Sequence, residues 1–108
     1  MLGSRKKKVR GEEMKILNLT LKKKWFDMIL SGVKKEEYRE VKPYWNVRLS
    51  SQKYDAIKFT NGYGKDKPSF VIELKEVLRS LGIIEWGAPM GQVVYILRLG
   101  KIIERGEI

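Results

Sequence analysis

Residues 14–32, MKILNLTLKKKWFDMILSG, change their hydrophobic period half-way along. In the first half leucines alternate with other residues, which predicts a strand with one strongly buried face. In the second half Trp25, Met28 and Ile29 recur at helical spacing, and we expect this stripe to pack in the core. Gly32 suits the left-handed position that follows a helix C-terminus. The segment therefore predicts a strand followed directly by a helix.

The rest of the chain is dominated by strand patterns. VVYILRL (93–99) is an almost continuous apolar run, which is typical of a central buried strand. The sequence predicts strands over 15–21, 35–41, 54–60, 93–99 and at the start of 69–82, a short last strand in 100–108, and helices over 22–32 and 43–51. Because the long crossover helices of a βαβ sheet are missing, we predict an α+β fold, a small mixed β-barrel with one or two flanking helices.

Length and composition indicate one globular domain. The chain has 108 residues, of which 43% are hydrophobic, and it contains no cysteine. No apolar run is long enough to cross a bilayer, and the basic first residues lack the apolar core of a secretory signal. We therefore expect a cytoplasmic monomer that needs no disulfides and has no membrane partner.

The charge of the chain points to an anionic partner. There are 23 Lys and Arg against 13 Asp and Glu, a net charge of +10. Residues 1–13 hold five basic and two acidic residues, so without their three net charges the remainder still carries +7. A polyanion, most often nucleic acid, is the partner class that such a surface favours. The alternative is a lysine-rich surface that serves only solubility.

The opening segment is set apart by its lack of hydrophobic periodicity. Residues 1–13, MLGSRKKKVRGEE, are expected to form a flexible basic leader ahead of a domain over 14–108. The strand pattern starts at Met14, which we interpret as the natural initiator, with the leader foreign to the native protein. A functional basic arm is the alternative.

Several catalytic chemistries are excluded by composition. With no histidine and no cysteine, the chain cannot build a Ser-His-Asp or Cys-His arrangement or a usual zinc site. The loop NGYGKDKP (61–68) does not fit a P-loop, since Lys65 is followed by neither serine nor threonine. We expect no metal and no cofactor. The remaining chemistry belongs to lysine, arginine, glutamate, tyrosine and hydroxyl groups.

The most charged stretch, GVKKEEYRE (32–40), has two interpretations. In a strand, Glu37 and Arg39 point to one face and Tyr38 to the other, while Lys34 lies at the turn that leaves the helix. Glu37 and Arg39 can then pair and present a base and a forked donor in a ligand cleft. The alternative is a salt-bridged strand surface, which contributes little to stability.

The order of these residues favours the cleft. Gly32, Lys34, Glu37 and Arg39 spell G-x-K-x-x-E-x-R directly after a helix ending in ILSG, which resembles the signature of the ASCH family, a branch of the PUA-like barrels. The opening ILNLTL, the middle YDAIKFTNGYG and the closing VVYILRLGKI are similar to the layout of that family, so the resemblance covers approximately residues 14–103. It implies a PUA-like mixed β-barrel with a cleft lined by the motif.

The resemblance also implies RNA-related ligands. Members of the family are thought to act in RNA binding, coactivation or RNA metabolism, and some small members are amidohydrolases of acetylated cytidine or ribonucleases. By the same resemblance Lys34 and Arg39 would bind phosphate or a base edge. Glu37 would orient Lys34 or accept a hydrogen bond from a base amino group, and Gly32 would let the backbone pass close to the ligand. The amidohydrolase pattern has threonine where this chain has Glu37, a poor match for the same mechanism.

Three residues of the loop after the middle strand complete the predicted site. Thr60, Asn61 and Tyr63 precede or flank glycines, and a tyrosine there can stack on an unpaired base while Asn61 reads its edge. The alternative is an ordinary Asn-Gly turn with a solvent-facing ring. Lys22, Lys23 and Lys24 can widen a phosphate-contacting patch, and the alternative is a solvated helix start. Trp45 and Trp86 are expected in the core or at its rim, with exposure as the alternative for Trp86, which lies among the turn-forming residues of EWGAP.

Three functions follow from these observations. The first is an RNA- or nucleotide-binding module acting in RNA metabolism or regulation. The second is a hydrolase that uses Lys34 and Glu37 as catalytic residues on a modified nucleoside or on RNA. The third is a regulatory interaction domain whose cleft receives a protein or a small ligand. A catalytic lysine is distinguished by desolvation and a lowered pKa, whereas an anion clamp has to stay charged.

Overall fold

The computed structural model describes residues 4–9 and 11–106. Its elements are β1 (Ser4–Val9), β2 (Glu12–Leu21), α1 (Lys23–Leu30), β3 (Glu36–Glu40), α2 (Pro43–Leu49), β4 (Ala56–Asn61), β5 (Ser69–Leu81), a 3₁₀ turn (Ile84–Trp86) and β6 (Val93–Arg105). Apart from a separate last strand in 100–108, the strands and helices predicted from the sequence are present with shifted bounds, and β1 is additional. The predicted α+β class is confirmed.

The described strands form one mixed sheet of six strands in the order β1-β2-β4-β5-β6-β3. The pairing of β2 with β4 is parallel, and the other neighbours are antiparallel. A parallel pair needs a crossover connection, and here the crossover from β2 to β4 contains α1, β3 and α2. This crossover carries the motif strand β3 to the far edge of the sheet, beside β6.

The main core lies on the face of the sheet that the helices cover. The three alternating leucines of β2, Leu17, Leu19 and Leu21, are all buried there, as the sequence predicted. From α1 they meet Phe26 and Ile29, the two residues that this helix buries fully. Burying a side chain of this size stabilises the fold by about 1.5–3 kcal/mol, so this face anchors the helix that precedes the motif.

The N-terminal segment differs from the flexible arm expected over residues 1–13. Residues 4–9 form β1, which pairs antiparallel with β2 from Ser4 opposite Leu17 to Val9 opposite Glu12, and residue 13 lies inside β2. Val9 is buried in a second small cluster with Ile16. Hydrophobic periodicity does not reveal such a strand, because its pairing uses backbone groups and Val9 is the one hydrophobic residue in its sequence, SRKKKV.

The last two strands form a long antiparallel hairpin. β6 runs without a break to Arg105, so the separate short strand predicted within 100–108 is instead the end of β6. The connection between β5 and β6 contains the 3₁₀ turn Ile84–Trp86 and then Gly87, whose φ is 104°. A Cβ atom at Gly87 would lie 3.0 Å from the Trp25 ring, so glycine lets this connection pack against α1. The connection thereby reaches the motif strand.

The helices of the described residues are short. α1 has 8 residues and α2 has 7, and none of the helices in this part of the chain is long and apolar enough to cross a membrane.

Candidate functional site

A pocket of about 290 Å³ lies where β2 ends, beside α1, the motif strand β3 and the β5–β6 connection. Its lining residues are Thr20, Leu21, Lys22, Trp25, Glu37, Tyr38, Arg39, Trp86 and Gly87. We call it the motif pocket. Its wall combines two tryptophans, two cations and one carboxylate, and Glu37 and Arg39 of the G-x-K-x-x-E-x-R sequence are among them.

The motif strand is aimed at this pocket by the end of α1. Gly32 has φ of +87° and donates its N–H to the Ile29 carbonyl at 3.0 Å, which satisfies one of the free carbonyls at the helix end. The Lys34 N–H donates to the Met28 carbonyl, also at 3.0 Å. These bonds reverse the chain tightly, so Lys34 follows the helix directly and its side chain enters the protein.

Lys34 is the most buried charged residue among those described, with a side chain that is 1% exposed. Its Nζ donates to the Trp86 carbonyl and lies 3.1 Å from Glu37 Oε1. The rings of Trp25 and Tyr38 lie 4.8 and 4.7 Å from the same nitrogen. Burial lowers the pKa of the Lys34 ammonium below its usual range because desolvation disfavours the charged form, and Glu37 offsets part of this effect.

Glu37 connects the two cations of the motif. Its Oε2 accepts from Nη1 of Arg39, while its other oxygen faces Lys34. The Arg39 guanidinium also donates to the Tyr38 carbonyl at 2.8 Å and lies 3.5 Å from the Thr20 carbonyl of β2. The carboxylate is therefore held in one orientation, with one partner deep in the protein and one on the pocket wall.

Tyr38 fastens the opposite face of the motif strand. Its hydroxyl donates to Glu36 Oε1 at 2.9 Å and accepts the N–H of Ile83 at 3.0 Å. Burial is the main cause that raises the pKa of this hydroxyl; the hydrogen bond from Ile83 acts in the opposite direction, and the one to Glu36 raises the pKa further. Since Ile83 precedes the 3₁₀ turn, and Lys34 binds the carbonyl at the end of that turn, the β5–β6 connection is attached to the motif at both ends of the turn.

The predicted pairing within the motif is confirmed. Glu37 and Arg39 form an ion pair on one face of β3, and Lys34 joins it from the turn. The alternative of a solvated strand surface does not describe these residues, because Lys34 is 2% and Glu37 6% exposed. Yet the wall of the motif pocket, as defined by the described residues, includes Glu37 and Arg39 and leaves Lys34 behind it.

The other predicted site residues lie outside the motif pocket. Gly32 and Lys34 line a separate depression of about 330 Å³ at the end of α1. Thr60 and Asn61 pair with Thr20 and Leu21 across the parallel strands, so they adjoin two residues of the pocket wall. Tyr63 is 86% exposed in the following loop. The ligand contacts proposed for these residues stay predictions.

Sequence reasoning missed three parts of the pocket wall. Trp25 was predicted to pack in the core, and it does contact the core while one part of the ring lines the pocket. Thr20 lies between two of the alternating leucines, and sequence reasoning assigned it no part in a site. Trp86 packs at the rim of a small core cluster with Tyr38, as expected, but its carbonyl contact with Lys34, which joins residues 52 positions apart, was not predicted. The turn-forming residues around Trp86 were the only sequence signal for such a contact.

The described residues contain no group of three or more His, Cys, Asp or Glu that could hold a metal ion. Comparison of the chain with models of known protein families, with curated proteins and with solved structures finds no match.

Proposed function

We propose that this protein binds RNA or a nucleotide, with a nucleobase and its phosphate held in the motif pocket. One observation carries the proposal: the pocket wall contains two tryptophans together with Arg39, Lys22 and Glu37, whose carboxylate is held by Lys34 and Arg39. Indole rings stack on unpaired bases, cations contact phosphate, and a carboxylate accepts from a base amino group. The net charge of +10 favours the same ligand class.

Membership of the ASCH family and a closed PUA-like barrel are part of the same proposal. The motif G-x-K-x-x-E-x-R and the strand layout support them. The position of the motif strand, whose Arg39 approaches the Thr20 carbonyl of β2 at 3.5 Å, is also compatible with a barrel that closes between β2 and β3. A cytoplasmic, monomeric protein that acts in RNA metabolism or regulation is the setting that we propose.

The experiment is a titration of the full chain with nucleotides and short RNA across a salt series. Lys22→Ala removes an exposed cation from the pocket wall, and Lys75→Ala removes an exposed cation from β5, outside that wall. For single strands the slope of log affinity against log salt changes by about 0.7 per phosphate contact. We expect Lys22→Ala to lower both the affinity and this slope, and Lys75→Ala to leave both near the wild-type values.

If the two variants weakened binding equally, the affinity would depend only on the net charge of the protein, and a binding site at the motif would be contradicted. Absence of binding to any nucleotide or RNA, with the protein folded, would overturn the function itself and favour a regulatory domain with a protein or small-molecule ligand.

A hydrolase is the second candidate, favoured by the state of Lys34. This lysine is desolvated, has a lowered pKa and lies 3.1 Å from a carboxylate that lines the pocket. Perturbed groups of this kind occur at catalytic sites, where Glu37 would act as the base and Lys34 would tune it.

Incubation of the protein with RNA and with N-acylated cytidine tests the hydrolase. Turnover that Glu37→Gln abolishes while binding persists would establish it. If the protein bound these ligands but formed no product, the hydrolase would be refuted and the binding function would stand.

A further inference from the structure

A row of two aromatic side chains between two arginines leads from the motif pocket onto helix α2. The Arg39 guanidinium lies 5.3 Å from the Trp45 ring centroid, and the rings of Trp45 and Tyr44 meet edge to face at 4.8 Å. The Arg48 guanidinium lies 3.4 Å from the centre of the Tyr44 ring. We call Arg39, Trp45, Tyr44 and Arg48 the α2 strip. Only its first member lines the pocket, so the strip is a surface additional to it.

The outer end of the strip is both exposed and fixed. Tyr44 is 52% exposed although it is in contact with Trp45 and Arg48. Arg48 is held in turn, because its Nη1 donates to the Tyr44 carbonyl at 3.0 Å. A ring that is already ordered loses little conformational entropy when a ligand stacks on it. The strip therefore offers a stacking surface prepared before binding.

Helix stability explains only part of this arrangement. Tyr44 and Arg48 are four residues apart, and such pairs stabilise a helix modestly. That accounts for the Arg48 contact but not for the continuous path to Arg39 in the pocket. Residues 41–54, which contain α2, also include three Lys or Arg and no Asp or Glu. Lys42 is paired with the exposed Glu40, and Arg48 and Lys53 add positive charge on and beside the helix, which favours an anionic ligand.

We propose that the α2 strip binds single-stranded nucleic acid continuing out of the motif pocket. A base next to the one in the pocket stacks on Tyr44, and Arg48 contacts the phosphate beyond it. Aromatic platforms beside basic side chains are how proteins hold single strands without reading their sequence. This inference rests on the proposed function and adds that the ligand is a strand rather than a free nucleotide.

The test is the dependence of affinity on ligand length. Uridine monophosphate and oligouridylates of two to eight nucleotides are titrated into the full chain. DNA oligomers of the same lengths are titrated alongside, to establish whether the α2 strip prefers RNA or DNA. We expect affinity to rise with length in the wild type. Tyr44→Ala should weaken octamer binding by about tenfold or more and leave monophosphate binding unchanged. Tyr44→Phe, which keeps the ring, should retain the wild-type affinity.

Arg48→Ala is tested against Arg105→Ala, which removes the same charge at the far end of β6. We expect only Arg48→Ala to lower octamer affinity and to reduce the salt slope by about 0.7. Circular dichroism checks that each variant is folded, and since Tyr44 is half-exposed we expect Tyr44→Ala to fold.

The outcomes separate this inference from the proposed function. If uridine monophosphate bound but the affinity did not rise with added nucleotides, the role of the α2 strip would be refuted and the proposed role of the motif pocket would stand. Octamer binding that Tyr44→Ala does not weaken would also overturn the strip. Polyglutamate that competes as well as RNA of equal charge would overturn it too, since charge alone would then be recognised. Absence of binding to every ligand would overturn the proposed function together with the strip.

Discussion

Replacing the carboxylate of Glu37 tests the electrostatics of the motif most directly. In Glu37→Gln the size of the side chain is kept, but the buried Lys34 ammonium loses the only carboxylate that the structure describes within salt-bridge distance of it. Leaving a buried charge without its partner costs about 3–5 kcal/mol. Lys34 can avoid part of this penalty by releasing its proton. For a lysine of ordinary pKa, deprotonation at pH 7 costs about 4.6 kcal/mol, so the loss of unfolding free energy at that pH is limited to about this value.

The same escape route makes the loss depend on pH. If Lys34 is neutral in the folded variant and protonated in the unfolded chain, the unfolded state binds one more proton, so stability rises with pH by up to about 1.4 kcal/mol per unit. Burial already lowers the pKa of Lys34 in the wild type, so the wild type begins to gain stability in the same way once pH exceeds that lowered pKa. The deficit of Glu37→Gln should therefore shrink above pH 7 and stop shrinking where wild-type Lys34 loses its own proton.

Urea unfolding followed by tryptophan fluorescence, between pH 6 and 10, measures both effects. The matched control is Glu40→Gln on the same strand, whose pair with Lys42 is exposed and should cost less than about 1 kcal/mol with little pH dependence. In a Lys34→Met background, the loss caused by Glu37→Gln should no longer depend on pH in this way, because neither of the two chains compared then carries the lysine. A Glu37→Gln loss no larger than that of Glu40→Gln, or one that is constant with pH, would refute the reasoning.

Two further substitutions test the packing around the site. Gly82→Ala should lower the unfolding free energy by about 1–3 kcal/mol, because the new Cβ would lie 2.6 Å from the Tyr38 ring and 2.7 Å from the Ala88 Cβ. The Tyr38 ring cannot move aside easily, since its hydroxyl is hydrogen-bonded on both sides. An unchanged urea midpoint would contradict this packing. Tyr54→Phe should raise the unfolding free energy by about 1 kcal/mol in the same assay, because the Tyr54 hydroxyl is buried without a hydrogen-bond partner in the described structure. A loss of stability would contradict this and mean that the hydroxyl has a partner.

The strands and helices were predictable because their patterns are local. Alternating leucines in 15–21 and the apolar run 93–99 each identify a strand from a few adjacent residues. β1 was not predictable in this way, since its pairing depends on the free edge of β2 and its composition is basic. The parallel pairing of β2 with β4 is equally a property of the whole sheet, and local periodicity carries no information about it.

Of the candidate site, only the contacts made within the strand β3 were predictable from the sequence. Glu37 and Arg39 are two residues apart, so the strand period alone places them on one face and their ion pair follows. The burial of Lys34 depends instead on Trp25 and on the Trp86 carbonyl, which a distant connection delivers. A sequence motif records which residues are present but not which distant backbone group they meet.

This difference changes the role that the motif lysine can have in the proposed ligand complex. Lys34 is already engaged by a carbonyl, a carboxylate and two aromatic rings, and it lies behind the pocket wall. The cations on the wall are Arg39, which is shared with Glu37, and Lys22 at the end of β2. A phosphate in the pocket would therefore contact Lys22 and Arg39, while Lys34 fixes the charge and orientation of Glu37 and attaches the β5–β6 connection. In this arrangement the one carboxylate of the motif, Glu37, offsets one of the two charges of Lys34 and Arg39, and Lys22, outside the motif, adds to the positive charge that would attract the proposed ligand.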